Sequence, residues 1–136
     1  MRTLIVDDDL VSRAKLVEIM RGQAETTAVD NGEDAVSCFN RAWEDLEPFD
    51  LIFLDINLPG ISGWDALKEI RAAEKDLALA PPARIKTIMV SSRSDQETVL
   101  SMLNAGCDDY IVKPFQPSVV EEKVRRLFLP PPIVLR

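Results

Sequence analysis

Leu51-Ile52-Phe53-Leu54-Asp55-Ile56-Asn57-Leu58-Pro59-Gly60 decides the fold of this chain. Its first four residues are apolar without alternation, which predicts a strand covered on both faces, as in the centre of a parallel sheet. The run stops at a carboxylate and is followed by a Pro-Gly turn, so Asp55 sits where the strand reaches the sheet edge. Three other stretches end in the same manner. Ile5-Val6 leads into Asp7-Asp8-Asp9, Ile88-Met89-Val90 into Ser91, and Ile111-Val112 into Lys113-Pro114. If these runs are neighbouring parallel strands, carboxylates, a hydroxyl and an ammonium converge at one edge.

Outward from that centre, strand and helix alternate five times. Thr3–Val6 is a short β-rich run, and Ser12, Leu16, Ile19 and Met20 then recur at helical spacing until Gly22 closes the helix. Thr26–Val29 is a more polar strand, suited to an edge. Asp30 is a candidate cap with Glu33 three residues on, opening a helix through Leu46. After Leu51–Leu54, Ser62 caps a helix over Trp64–Glu74, and Thr87–Val90 forms the next buried strand. Asp95 caps Gln96–Ala105, which Gly106 stops. Tyr110–Val112 is the last strand, and Pro117 at a first helical position opens a helix to about Phe128. Ala72–Lys86, with Pro81-Pro82 inside it, reads as a long loop. Pro130-Pro131-Pro132 reads as a helix stop before a short apolar tail.

Five βα units without internal repeats imply an α/β domain, a doubly wound five-stranded parallel sheet with five helices. Right-handed crossovers and a centre made of the most apolar strands favour the order 2-1-3-4-5. Ligands of such sheets bind beyond the carboxyl ends of strands, where the order reverses between the first and third. Asp8 and Asp55 follow those two strands. The domain is expected over residues 1–128, with 129–136 as a Pro-rich tail.

The chain has 136 residues, 46% of them hydrophobic, enough for one domain with a real core and too few for two. No apolar stretch approaches the ~20 residues that span a bilayer, and the N-terminus turns acidic where a signal peptide would stay apolar. A soluble, cytoplasmic protein is expected. A net charge of -7 argues against binding nucleic acid or an anionic membrane. Cys38 and Cys107 lack metal-ligand spacing and read as reduced thiols. The chain has no histidine, which removes imidazole bases and any phosphohistidine of its own.

The chemistry of the edge follows from its charges. Carboxylates ~4 Å apart repel by about 4 kcal/mol at an effective dielectric near 20, so Asp7, Asp8 and Asp55 call for a hard cation. Mg²⁺ suits them: it takes one or two carboxylates, keeps waters and accepts phosphate oxygens. Asp9 reads as a solvated helix cap. Asp55 can act as a nucleophile on phosphorus, with Lys113 as point charge and Ser91 as hydroxyl donor. Lys113-Pro114 invites a cis bond.

Together, Leu4-Ile5-Val6-Asp7-Asp8, Leu54-Asp55-Ile56-Asn57-Leu58-Pro59-Gly60, Ile88-Met89-Val90-Ser91-Ser92 and Tyr110-Ile111-Val112-Lys113-Pro114-Phe115 closely resemble response-regulator receiver domains, the CheY-like family. The resemblance covers residues 1 to about 128. It implies that Asp55 is the phosphoacceptor and that Asp8 binds Mg²⁺ directly, with Asp7 acting through water and Asn57 giving its backbone carbonyl. It further implies that Ser91 is the switch hydroxyl, Lys113 the phosphate contact and Tyr110 the switch aromatic, and that Asn57 and Arg93 tune the acyl-phosphate lifetime. Ser92 departs from the family's usual alanine.

The expected function is a two-component response regulator that takes a phosphoryl group from a histidine kinase or histidine phosphotransfer protein. It then alters a partner-binding surface around the fourth helix, fifth strand and fifth helix, as a monomer or weak dimer with an unknown downstream protein target. Lys113 stands 23 residues before the C-terminus, so a stand-alone regulator is expected. In a longer protein, the prolines would begin a linker. Self-phosphorylation and self-dephosphorylation are the only catalysis expected. The alternative is a haloacid-dehalogenase-like phosphatase with Asp7 as nucleophile and Asp9 as acid. The primary reading requires the side chain of residue 55 to lie open to solvent, within reach of a magnesium ion held by residue 8.

Overall fold

The computed structural model describes residues 1–129, and the proline-rich tail expected after them lies outside the described residues. Five strands form one parallel sheet: β1 (Arg2–Val6), β2 (Glu25–Val29), β3 (Leu51–Asp55), β4 (Lys86–Ser91) and β5 (Asp109–Val112). Their order is β2-β1-β3-β4-β5, as expected. The helices are α1 (Leu10–Met20), α2 (Gly32–Glu44), α3 (Gly63–Asp76), α4 (Gln96–Asn104) and α5 (Pro117–Leu127).

Every residue of β3 is buried, whereas β2 at the edge is only partly covered. Strand parity divides the core. Ile5, Leu51, Phe53, Ile88, Val90 and Ile111 pack with Leu16 and Met20 of α1 and Val120 and Val124 of α5. Leu4, Val6, Ile52, Leu54 and Met89 pack on the other face with α2, α3 and Met102 of α4. The helices are docked by these two apolar layers, the expected outcome when alternate residues of a strand point to opposite faces.

Several boundaries differ from the sequence expectation, each for a local reason. Asn31, not Asp30, caps α2, its side chain accepting the Asp34 amide at 2.8 Å. Glu33 does not close a capping box but turns to Ile61, 28 residues away. α2 ends at Glu44, and Leu46 turns the chain with φ 57. The expected loop Ala72–Lys86 is largely ordered: α3 runs on to Asp76 and Pro81–Ala83 form a 3-10 turn. Asp9, Ser62 and Asp95 cap α1, α3 and α4 through their side chains. Gly22, Gly106 and Pro117 stand where expected, and Cys38 and Cys107 are free thiols.

Candidate functional site

The site is assembled by register. Val6 pairs with Leu54, so the next residues, Asp7 and Asp55, stand side by side beyond two adjacent strands. Asp55 pairs with Val90, Ser91 pairs with Val112, and the Lys113 amide donates to the Ser91 carbonyl at 2.7 Å, extending the ladder past β5. Asp7, Asp55 and Lys113 share the parity of Ile5, Phe53 and Ile111, on the α1–α5 side. Ser91 and Tyr110 share the parity of Met89 and Val112 respectively, toward α4. One sheet edge thus separates a charged cluster from a hydroxyl and an aromatic on the opposite face.

Carboxylate oxygens of Asp7, Asp8 and Asp55 lie within 4.8 Å of one another. Lys113 Nζ bridges two of them, 2.9 Å from Asp55 Oδ2 and 2.9 Å from Asp7 Oδ2. Its hydrogen bond to Asp7 is directed at Oδ1 instead, at 3.2 Å. Oδ1 also takes the Asp9 amide at 2.9 Å, so Asp7 Oδ2 is buried beside a cation but has no directed hydrogen bond among the described residues. The second oxygen of Asp55, Oδ1, accepts the Asn57 amide at 3.1 Å. Asp8 remains exposed.

Asp55 does not lie open. It is 5% exposed, shielded by Lys113 and the strands around it. The requirement of an open side chain is therefore corrected, although the partner that covers it is a cation and the carboxylate stays within the acidic cluster. Burial pushes the Asp55 carboxyl up to about 6, the Lys113 hydrogen bond opposes this, and the Asp7 charge adds to it. For Lys113, partial burial works against the ammonium, but hydrogen bonds and charge from Asp55 and Asp7 prevail and raise it.

Three carboxylates against one ammonium leave the cluster two negative charges in excess. A buried oxygen without a directed hydrogen bond and an all-oxygen donor set fit a hard divalent cation. The thiols lie elsewhere, Cys107 donating to the Met102 carbonyl. Lys113-Pro114 is cis.

The remaining candidates are placed as follows. Ser91 is buried, its Oγ accepting the Arg93 amide at 2.9 Å. Arg93 itself turns outward to Asp95 at 3.1 Å. Tyr110 is half-buried, with Lys123 Nζ 5.0 Å from its ring centroid. Asn57, Trp64, Ser91, Arg93 and Thr98 line a groove of about 270 Å³ beside the cluster. Sequence reasoning did not assign Trp64 or Thr98 to the site, because helical spacing does not reveal what faces a neighbouring loop. It also missed Arg13, whose guanidinium donates to the Asp7 carbonyl at 2.8 Å.

The phosphatase alternative is not supported. Asp9, its supposed acid, accepts the Val11 amide and the Ser12 hydroxyl as the cap of α1.

The aspartate cluster and its lysine thus lie at the switch point of a doubly wound sheet, where ligands of such folds bind. The chain belongs to the response regulator receiver domain family, whose model matches residues 3–125. Its relatives include the chemotaxis protein CheY of Thermotoga maritima, 36% identical over 93% of this chain and 96% of the relative. They also include the DNA-binding response regulator MtrA of Mycobacterium tuberculosis, 33% identical over 91% of this chain and 49% of the relative. The chain thus spans about half the length of the MtrA proteins it matches.

Among solved structures, a chain in the complex of the Saccharomyces cerevisiae histidine phosphotransfer protein Ypd1 with the receiver domain of Ssk1 superposes with a TM-score of 0.80. It is 28% identical, with 92% and 86% of the two chains covered. The receiver domain of the sensor histidine kinase PA1611 from Pseudomonas aeruginosa, with magnesium in its active-site cleft, gives 0.74 at 27% identity, covering 92% and 94%. Receiver domains serve two-component signalling as phosphoacceptor switches rather than turnover enzymes. No helix among the described residues is long and apolar enough to cross a membrane.

Proposed function

We propose that residues 1–128 form a receiver unit that accepts a phosphoryl group on Asp55 from a histidine kinase or histidine phosphotransfer protein in the cytoplasm. The reading is carried by the Asp7–Asp8–Asp55 cluster with Lys113 wedged between Asp7 and Asp55. Asp8, Asp55 and the Asn57 backbone carbonyl would hold Mg²⁺ directly and Asp7 through water. The ion, when bound, would offset charge on the entering phosphoryl oxygens.

The chain's own groups do the rest. An Asp55 carboxylate oxygen attacks phosphorus, a P–O bond forms, and the P–N bond to the donor imidazole breaks, its electron pair leaving with the donor. Lys113 keeps Asp55 ionised before transfer and then donates to a phosphoryl oxygen. Phosphorylation adds about -1.5 to -2 charges. The Ser91 hydroxyl, now occupied by the Arg93 amide, turns to a phosphoryl oxygen, and Tyr110, on the same face two residues along the ladder, moves into the space it leaves. Asn57 and Arg93, at the mouth of the groove, set how readily water reaches the acyl phosphate. The altered α4–β5–α5 surface then binds a downstream protein, the domain being a monomer or weak dimer, with no role for nucleic acid or membrane in this unit.

Incubation with acetyl phosphate and Mg²⁺, followed by mass spectrometry, should place the label on Asp55, and Asp55→Asn should abolish it while the fold persists. A label on Asp7, or none on the native chain, refutes the assignment.

A further inference from the structure

We infer that Glu33, at the start of α2, is a positioning residue for the site at Asp55: its carboxylate straps the β3–α3 loop that carries Asn57. The inference rests on the phosphoacceptor reading above. The loop, residues 56–62, is exposed at Asn57, Pro59 and Gly60, while Leu58 and Ile61 are partly buried against the core, so polar contacts help define its course between them. It is pinned at its far end by Gly63, whose amide donates to the Ile56 carbonyl at 2.8 Å. A Cβ at Gly63 would meet the Asp55 carbonyl at 2.2 Å, so this pin presses directly on the phosphoacceptor's backbone.

Before Gly63 the loop is also held by the Asn57 amide on Asp55 Oδ1 and, at Ile61, by Glu33. Its Oε1 accepts the Ile61 amide at 2.7 Å across 28 residues of sequence. The same carboxylate lies over Gly60, where an added Cβ would be 2.3 Å from Oε1; Gly60 also has φ +75, which favours glycine. Gly32 completes the contact, since a Cβ there would strike the Ile61 side chain at 2.7 Å. Two glycines and one carboxylate therefore bring α2 and the loop into backbone-level contact. The Ile61 hydrogen bond and that of its own amide hold the Glu33 carboxyl below its ordinary range, so it is ionised at neutral pH. A charge-assisted bond to a backbone amide is directional, and it fixes the loop that must aim the Asn57 carbonyl.

The test compares the full chain with Glu33→Ala and Glu33→Gln, the latter keeping an acceptor oxygen. Calorimetry measures Mg²⁺ affinity, acetyl phosphate the rate of labelling, and amide exchange of the metal-free proteins the protection of Ile61. Glu33→Ala should weaken Mg²⁺ binding and slow labelling by about tenfold, the lower end of what residues orienting metal ligands contribute. It should also speed Ile61 exchange, with Glu33→Gln remaining within about twofold of the native chain. Native-like Mg²⁺ binding, labelling and Ile61 exchange in Glu33→Ala would overturn the inference. So would Glu33→Gln failing as badly as Glu33→Ala with the same drop in melting temperature, which would mark a helix-stabilising role only. A native chain that binds no Mg²⁺ and takes no label would overturn the phosphoacceptor reading, and this inference with it.

Discussion

Residue 55 holds a carboxylate where its surroundings oppose ionisation, and that opposition has a pH signature. Its carboxyl rises from 3.8 to about 6 in the folded chain, first through burial and then through Asp7. The folded state therefore binds a proton more tightly than the unfolded state, and stability from this group falls as pH rises between about 4 and 6. Below that window both states are protonated and the penalty vanishes; above it the penalty is complete. Other carboxyls, such as Asp95 with its Thr98 bonds, are lowered and act in the opposite sense. The measurement is thus a difference: in metal-free urea titrations, Asp55→Asn should gain stability over the native chain progressively from pH 4 to 6. A flat difference across that range would show that Asp55 carries no such strain. Asp55 was readable as a site residue because an apolar run ended in it. Its burial under Lys113 was not, since the two lie 58 positions apart.

Among the elements, α3 runs two residues beyond its expected end at Glu74, and its second half explains why the segment after it is fixed. Glu74 is 1% exposed, pairs with Arg71 at 2.7 Å and accepts the Ile85 amide at 2.6 Å. Arg71 also donates to the carbonyls of Ile85 and Gly106 and to the Thr87 hydroxyl. These contacts tie the helix to the start of β4 and to the α4–β5 turn, so the segment read as loop is clamped. A charged pair in a polar-looking stretch resembles solvated helix surface, and nothing local marks it as buried. Arg71→Ala leaves the Glu74 carboxylate buried without its cation, a change that costs about 3–5 kcal/mol. Equilibrium urea denaturation should show that loss, with Glu74→Gln milder than Arg71→Ala. A loss under about 1 kcal/mol for Arg71→Ala would mean that water reaches the clamp.

For the whole molecule, the excess negative charge at one sheet edge couples folding to cation binding. A ligand that binds only the folded state adds about 2.7 kcal/mol of stability at one hundred times its dissociation constant. Mg²⁺ should raise the melting temperature in a concentration-dependent way, and Asp8→Ala should remove most of that rise. An equal rise in Asp8→Ala would place the ion elsewhere. The sheet order, the central place of β3 and the identity of the residues at the edge were determined by sequence alone. Short apolar runs of about four residues bounded by turn signals suit covered strands better than helices, and right-handed connections leave few ways to arrange them. Tertiary structure decided what covers Asp55, which residue caps α2, where Glu33 reaches and how Arg71 clamps α3. Those outcomes depend on side chains meeting across distant segments, and the pattern along a chain carries no record of such meetings until the backbone has brought them together.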